Sequence, residues 1–294
     1  MTSIGTKIRD LRASKMMTQQ ELAGDHITRN MLSRIENGFA LPSLPSLIYI
    51  SERLGVPPGY LLADEIEEFH YKKADRMEDI LSTFASGEWM ICKDLCLGLA
   101  DSDDEIRFVI FLCLLNQAKE LFDSGDLREA ADLFEEAKKY SVMTAYPTDP
   151  YVAECETYLL CISGISPSLT SDIEVASSPN LSAFSDMFCR YYSLLFWADN
   201  GEPVLFEKMR EISFEGIESA FSAHVSAKAR MKKGEYLESY HVMKQLLSNS
   251  ENIPAPMLYF IFTDLEICCR ELSDYRGAYE YSSDRTGMLE KFLG

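Results

Sequence analysis

The stretch TQQELAGDHITRNMLSRIENG, residues 18–38, decides the fold of the N-terminal part of the chain. It opens on a capping box, in which the Thr18 hydroxyl accepts from the amide of Glu21 and the Glu21 carboxylate accepts from the amide of Thr18. It closes on Asn37-Gly38, a pair that ends helices. Between these signals the sequence predicts two short helices joined by a tight turn, over about residues 19–24 and 28–36.

Three further helices flank this pair and complete a small bundle. We predict one over about residues 3–15, one over 44–54 that stops at Gly55, and one that begins at Pro57-Pro58. Apolar side chains along these helices fit one compact core, formed by Leu22, Ala23, Leu32, Ile35, Leu44, Leu47 and Leu54.

The second helix of the central pair presents a polar face. Arg29, Asn30 and Arg34 share that face, while Leu32 and Ile35 lie on the opposite side and point inward. A short helix of this kind fits the major groove of DNA, where Arg pairs bidentately with guanine and Asn with adenine. The pattern therefore predicts a helix-turn-helix, and the alternative is a solvated polar face on an ordinary small helix.

Residues 4–62 resemble the lambda-repressor-like helix-turn-helix family, also called the XRE or Cro type. The matching residues are Ile4-Gly5, Ile8-Arg9, Leu11-Arg12, Thr18-Gln19, Glu21-Leu22-Ala23, Ser33-Arg34-Ile35-Glu36-Asn37-Gly38, Pro42-Ser43, Leu54-Gly55-Val56 and Leu61-Leu62. Because many positions agree in order and spacing, the resemblance is specific for the first 63 residues.

The resemblance implies roles for individual polar residues. Gln19 would contact phosphate and base at the start of the first helix of the pair, and Thr28 would cap the second helix. Arg12 and Glu36 match the structural ion pair of the family. The residues predicted to contact DNA are Gln19, Thr28, Arg29, Asn30, Ser33, Arg34, Asn37 and Ser43.

Charge divides the chain unevenly. The whole chain has a formal net charge of -19, but residues 1–63 hold seven Lys or Arg against five Asp or Glu. The remainder is therefore strongly acidic, and phosphate repels an acidic surface. Only the N-terminal segment has the charge to contact nucleic acid.

From about residue 64 the pattern is helical nearly throughout, and three stretches share one helix–turn–helix phase. They are NQAKELFDSGDLREAADLFEEAKKY (116–140), AKARMKKGEYLESYHVMKQLL (227–247) and ICCRELSDYRGAYEYSSDR (267–285). Each resembles a tetratricopeptide unit. The sequence thus predicts an all-α protein, with a five-helix DNA-binding domain over 1–63, a connecting helix over 64–86, and an α-solenoid of TPR-like hairpins over 87–294 that binds an effector and dimerises.

A shorter turn before the recognition helix, without the usual Gly directly before Ile27, adds a second resemblance. Together with the TPR-like body, it resembles the RNPP group of Gram-positive bacteria (Rap, Rgg, NprR, PlcR and PrgX). That resemblance implies a homodimer on a palindromic operator and a short signalling peptide, gripped by Asn side chains on the inner helices. Asn116 is the first candidate to bind it, and the weaker candidates are Gln117, Tyr158, Tyr192 and Tyr259.

Other features bear on the remaining classes of function. The eight cysteines form no CxxC pair and sit in apolar runs, so we expect buried reduced thiols and no metal or cofactor. No signal peptide and no apolar stretch of 18 residues is recognised, which predicts a cytoplasmic protein. No HExxH motif or Gly-rich phosphate loop is present, which disfavours an enzyme.

Two hypotheses therefore stay open. In the first, a peptide bound to the repeats gates DNA binding. In the second, the same regulator has repeats that only dimerise or bind a protein partner.

Overall fold

The computed structural model describes residues 3–63, 65–99, 103–183, 185–201, 219–248 and 253–294. Across these residues the chain forms 15 α-helices and no β-strand, so the predicted all-α class is confirmed. The helices divide into two compact units, Met1–Ala85 with Leu97–Asp101, and Ser86–Cys96 with Ser102–Gly294. No helix in the described ranges is long and apolar enough to span a membrane.

The first unit begins with the five predicted helices, each within two residues of its predicted bounds. They are α1 (Ile4–Ser14), α2 (Gln19–Ala23), α3 (Arg29–Glu36), α4 (Leu44–Leu54) and α5 (Pro58–Leu62), and the longer α6 (Glu65–Ala85) follows. Hydroxyl side chains start the first four: Ser3, Thr18, Thr28 and Ser43 each accept a hydrogen bond from a backbone amide of the first turn. The predicted capping box at Thr18 and Glu21 is present in both directions.

The core of this bundle contains six of the seven apolar residues that the sequence predicted, together with Ile8, Ile50 and Leu61. Leu22, Leu32 and Leu54 are completely buried. Leu44 was expected among them but is 68% exposed, because it is the first residue of α4 and its side chain does not reach the core.

Gly24 ends α2 and sets the tight turn before α3. Its φ of 53° lies in the left-handed region, which favours glycine. A Cβ at this position would also collide with the hydroxyl of Tyr49. The turn thus keeps a glycine, directly after α2 rather than directly before Ile27.

The second unit consists of nine helices in the described residues. They are α7 (Trp89–Leu97), α8 (Asp104–Ser124), α9 (Leu127–Ser141), α10 (Asp149–Ile165), α11 (Met187–Asp199), α12 (Ser219–Met231), α13 (Tyr236–Leu247), α14 (Ala255–Glu271) and α15 (Tyr275–Leu293). The Ser- and Pro-rich composition of residues 163–180 predicts an irregular loop. The structure extends α10 to Ile165, three residues into this stretch, and the rest contains one 3-10 turn, Pro167–Thr170. The sequence pattern also predicts a helix over about residues 202–213 as the partner of α11, and these residues lie outside the described ranges.

All three predicted repeat units are helical hairpins: α8 with α9, α12 with α13, and α14 with α15. In each hairpin the turn contains a residue of positive φ two positions before the second helix begins, namely Gly125, Gly234 and Ser273. The helix α14 of the last hairpin also contacts α8 of the first one. The hairpins therefore share one core rather than contacting only their neighbours in sequence.

Aromatic rings fill that core. Tyr158 packs between Phe122, Phe134 and Phe188, with ring centroids 4.8 to 5.2 Å apart. All eight cysteines are buried and free, as the sequence predicted. Burial raises the pKa of the Cys161 thiol well above its usual value, which disfavours the thiolate form.

Candidate nucleic-acid interface and repeat cavities

The helix α3 separates its polar and apolar side chains as the sequence predicted. Arg29, Asn30 and Arg34 are exposed, whereas Leu32 and Ile35 are buried in the bundle core. The apolar side fixes the rotation of α3 about its axis. Its two guanidinium groups and one amide therefore face outward from a rigid support.

Polar residues at the ends of α3 belong to local turns. The Thr28 hydroxyl accepts from the amide of Met31 at 3.1 Å, and the Asn37 amide nitrogen donates to the carbonyl of Ser33 at 2.8 Å. Ser43 caps α4 by accepting from the amide of Ser46 at 3.3 Å. Thr28, Asn37 and Ser43 are exposed, and Ser33 is half-buried, so these side chains border the outward face of α3.

Beneath this face, Glu36 holds three helices together. Its Oε1 accepts from Arg12 Nε at 2.7 Å, and its Oε2 accepts from Arg12 Nη2 at 3.1 Å. The hydrogen bond to Glu36 raises the pKa of the Arg12 guanidinium. Arg12 also donates to the carbonyl of Met17 at 2.8 Å. The predicted pair of Arg12 and Glu36 is therefore present and bidentate.

Gln19 joins this network, which its predicted role did not include. Its Nε2 donates to Glu36 Oε2 at 2.7 Å. The side chain is half-buried at the start of α2. Gln19 thus helps to hold α2 against α3. If it also contacts phosphate and base, as the sequence predicts, it does so while its amide nitrogen is bonded to Glu36.

Residues 8–61 match the family model described as Helix-turn-helix. These residues form a helix-turn-helix domain. In such domains the second helix of the motif enters the major groove of DNA. In this helix-turn-helix domain that helix is α3. No curated protein matches the chain.

Three solved structures are similar over nearly the whole chain. PlcR of Bacillus thuringiensis, in complex with the peptide PapR7 and DNA, is 16% identical with a TM-score of 0.27, covering 99% of this chain and 96% of that one. The apo competence regulator ComR of Streptococcus vestibularis is 14% identical with a TM-score of 0.21 and 98% coverage of both chains. Rgg2 of Streptococcus dysgalactiae, an SHP pheromone receptor, is 12% identical with a TM-score of 0.25, covering 97% and 99%.

Two of the cavities in the second unit are lined by predicted peptide-contacting residues. The first cavity, of about 550 Å³, lies among α8, α10 and the start of α11, and its walls include Leu112, Asn116, Lys119, Tyr151, Glu154 and Asp186. The second cavity, of about 140 Å³, is lined by residues that include Tyr192, Phe196, Asp199, Lys228, Phe260 and Asp264. Each has apolar walls and a small charged cluster, as small-ligand sites commonly have.

A lysine between two carboxylates lines each cavity. Lys119 Nζ donates to Glu154 Oε2 and to Asp186 Oδ2, both at 2.7 Å. Lys228 Nζ lies 2.7 Å from Asp264 Oδ1 and 2.8 Å from Asp199 Oδ1. Burial by itself would lower the pKa of either lysine, but the adjoining carboxylates outweigh burial and raise it. Both ammonium groups therefore stay charged at neutral pH.

The predicted peptide-contacting residues take different positions. Asn116 lines the first cavity, where its Nδ2 donates to the carbonyl of Leu112 at 2.8 Å, and Tyr192 lines the second. Gln117 and Tyr259 are half-buried and line neither cavity. Tyr158 is 3% exposed in the aromatic core, and its hydroxyl donates to Asp186 Oδ1 at 3.2 Å, so its predicted peptide contact would need the ring to leave this position.

We expect the stability of the second unit to be level between about pH 5 and pH 8 and to fall outside this range. On the alkaline side the fall begins with the cysteines, because burial raises the pKa of thiols such as Cys161 and Cys189 and they ionise more readily in the unfolded chain. Asp186 and Asp264 have lowered pKa values, because lysine and histidine partners outweigh their burial. Their contribution is present above the ordinary aspartate pKa and is lost as the pH falls through the lowered value. The lysine contribution is present below the ordinary lysine pKa and is lost as the pH rises through the raised value.

Tryptophan fluorescence can follow this unit, because both tryptophans, Trp89 and Trp197, lie in it. The measurement is the urea midpoint of the full chain as a function of pH. A steep loss of stability between pH 8 and pH 6 would contradict the expectation, since it would assign the main titration to a histidine.

Proposed function

We propose that the chain is a cytoplasmic, sequence-specific DNA-binding regulator of transcription. In this proposal it binds a palindromic operator as a homodimer, and a short peptide bound to its helical repeats changes its DNA affinity. The observation that carries the proposal is the outward face of α3, where Arg29, Asn30 and Arg34 stand exposed over a buried apolar side. Arg and Asn are the side chains best suited to read guanine and adenine.

The distribution of charge supports the same orientation on DNA. The N-terminal 63 residues carry more basic than acidic side chains, whereas the whole chain has a net charge of -19. An acidic second unit disfavours binding to phosphate through any other surface. We infer that DNA is contacted by the helix-turn-helix domain alone.

We infer a homodimer from the small surface with which one helix-turn-helix domain can contact DNA bases. One small helix-turn-helix contacts few bases, while two copies related by a two-fold axis read two half-sites about one helical turn apart. The peptide follows from the first cavity, because the amide of Asn116 can both donate to and accept from an extended backbone. Repeats that serve only for dimerisation, or for a protein partner, are the alternative.

Selection of binding sites from random DNA with the full chain tests the proposal. We expect a palindromic site whose affinity falls steeply between low and physiological salt, because phosphate contacts release counterions. Analytical ultracentrifugation of the selected complex should give two chains per site. Selection that returns no common sequence would overturn the proposal.

Single alanine variants then show which base position each side chain of α3 contacts. Arg29→Ala, Asn30→Ala and Arg34→Ala should each cost about 1–3 kcal/mol and relax preference at one position of each half-site. Arg9→Ala is the control, since it removes an exposed guanidinium from α1 that the proposal does not place in the groove. If all three variants keep the wild-type sequence preference, α3 is not the reading helix.

A further inference from the structure

The helix α3 ends in a motif that usually buries an apolar side chain, yet the apolar residue of this motif, Phe39, is exposed. Gly38, at a φ of 76°, donates to the carbonyl of Ile35 at 3.0 Å, and the amide of Phe39 donates to the carbonyl of Arg34 at 2.8 Å. These bonds form a Schellman motif, in which the residue after the glycine commonly packs on an apolar side chain in the last turn of the helix. The residues at those positions are Arg34 and Ser33, which are polar.

The loop after α3 turns two large apolar side chains away from the domain core. Ala40 is half-buried and packs against the core cluster. Phe39 and Leu41, on either side of it, are 76% and 82% exposed. Because Ala40 fixes the inward side of the loop, both of its neighbours face solvent. Apolar groups that are exposed together commonly mark a contact with another molecule.

Phe39 continues the outward face of α3, on which Arg29, Asn30 and Arg34 are exposed. The backbone hydrogen bond to Arg34 holds Phe39 beside the last of these residues. A guanidinium next to the ring disfavours an apolar protein surface as the partner, since such a surface would remove water from the charge without neutralising it. A polyanion neutralises the charge, so the partner that fits both side chains is DNA.

One apolar group of the base pairs projects into the major groove. Adenine, guanine and cytosine present hydrogen-bond donors and acceptors there, whereas thymine presents a C5-methyl group beside its carbonyl acceptor. A phenyl ring has no donor or acceptor, so contact with a polar base edge would leave that edge unpaired. The thymine methyl group is therefore the feature of DNA that suits Phe39.

We propose that Phe39 is a specificity-determining residue, which packs on the C5-methyl group of one thymine in each half-site, next to the base pair that Arg34 contacts. Arg34 binds its base through hydrogen bonds, and Phe39 adds a requirement for thymine at the neighbouring position. This inference rests on the proposed binding of DNA by α3.

The test replaces thymine by uracil in the selected operator, which removes the methyl group and keeps every hydrogen-bonding group of the base. Each thymine is replaced in turn, at the equivalent position of both half-sites, and the affinity of the full chain for the labelled duplex is measured by fluorescence anisotropy. The same duplexes are titrated with Phe39→Ala, which removes an exposed ring and leaves the core intact. Leu41→Ala is the matched control, because it removes a similarly exposed apolar side chain farther along the same loop from Arg34.

We expect replacement at one position of the half-site to weaken binding of the wild-type chain about fifteenfold, which corresponds to about fourfold for each of two buried methyl groups. Phe39→Ala should bind the thymine operator at least as weakly as the wild-type chain binds this uracil operator. It should also bind the thymine and uracil operators equally, because the methyl group then has no ring to contact. Leu41→Ala should keep the wild-type response to uracil.

Three results would overturn the inference. If no uracil replacement changes the wild-type affinity, no thymine methyl group is recognised. If Phe39→Ala keeps the response to uracil, or Leu41→Ala alone removes it, another side chain makes the methyl contact. If Phe39→Ala dissociates a dimer of the DNA-free chain in the ultracentrifuge, the ring lies between two copies of the chain. Each of these results leaves the selected operator in place, whereas selection of no common sequence overturns the proposed function itself.

Discussion

Replacement of Glu36 by alanine should lower the free energy of unfolding of the helix-turn-helix domain by about 3 kcal/mol. Glu36 is 3% exposed and accepts three hydrogen bonds, two from Arg12 and one from Gln19. Its removal leaves a largely buried guanidinium without a counter-charge, and α1, α2 and α3 lose their common partner. We therefore expect α3 to be held less firmly against the core.

Amide hydrogen exchange of the full chain, resolved by mass spectrometry of peptides from α1 to α3, measures this loss locally. The matched control is Asp10→Ala, which breaks the exposed pair with Arg9 at 3.6 Å and should change the stability by no more than about 0.5 kcal/mol. Glu36→Gln keeps the shape and one acceptor, so it should fall between the two. Equal rates of amide hydrogen exchange in the Glu36→Ala and Asp10→Ala chains would show that the pair of Arg12 and Glu36 does not stabilise the domain.

The helix-turn-helix could be predicted closely because its signals are local. The capping hydroxyls, Gly55 and the apolar spacing each act within a few residues, so the helix bounds and the inward side of α3 follow from sequence. The error at Leu44 has the same origin. Apolar spacing along the sequence suggested that Leu44 belongs to the core, but only the packed bundle shows that this residue, at the start of α4, lies outside it.

The clusters in the second unit could not be predicted, because their partners are distant in sequence. Lys119 bonds to residues 35 and 67 positions away, and no local pattern links them. The turn glycines Gly125 and Gly234, each two residues before a second helix, give a register that would have paired Lys119 with Lys228. It would not have shown that carboxylates surround both, nor that Tyr158 turns into the aromatic core.

Asp264→Ala should be the most damaging single substitution among the charged residues of the second unit, at about 3–5 kcal/mol. Asp264 is 2% exposed and contacts two buried side chains, those of Lys228 and His224. Its Oδ1 lies 2.7 Å from Lys228 Nζ, and its Oδ2 lies 3.2 Å from His224 Nε2. The imidazole continues the chain, since His224 Nδ1 lies 2.7 Å from the hydroxyl of Tyr191. One carboxylate on α14 thus fixes α12 and, through it, α11.

Alanine at position 264 leaves Lys228 with Asp199 alone, whose side chain is 54% exposed and therefore compensates a buried charge poorly. The urea midpoint followed by the fluorescence of Trp197 on α11 reports the loss. Asp199→Ala is the matched control, because it removes the exposed carboxylate from the same lysine and should cost no more than about 1 kcal/mol. Asp264→Asn keeps one acceptor and should be intermediate. If Asp264→Ala and Asp199→Ala have the same urea midpoint, the buried carboxylate of Asp264 stabilises the second unit no more than the exposed carboxylate of Asp199 does. The expectation that Asp264 is a main stabilising residue of this unit would then be wrong.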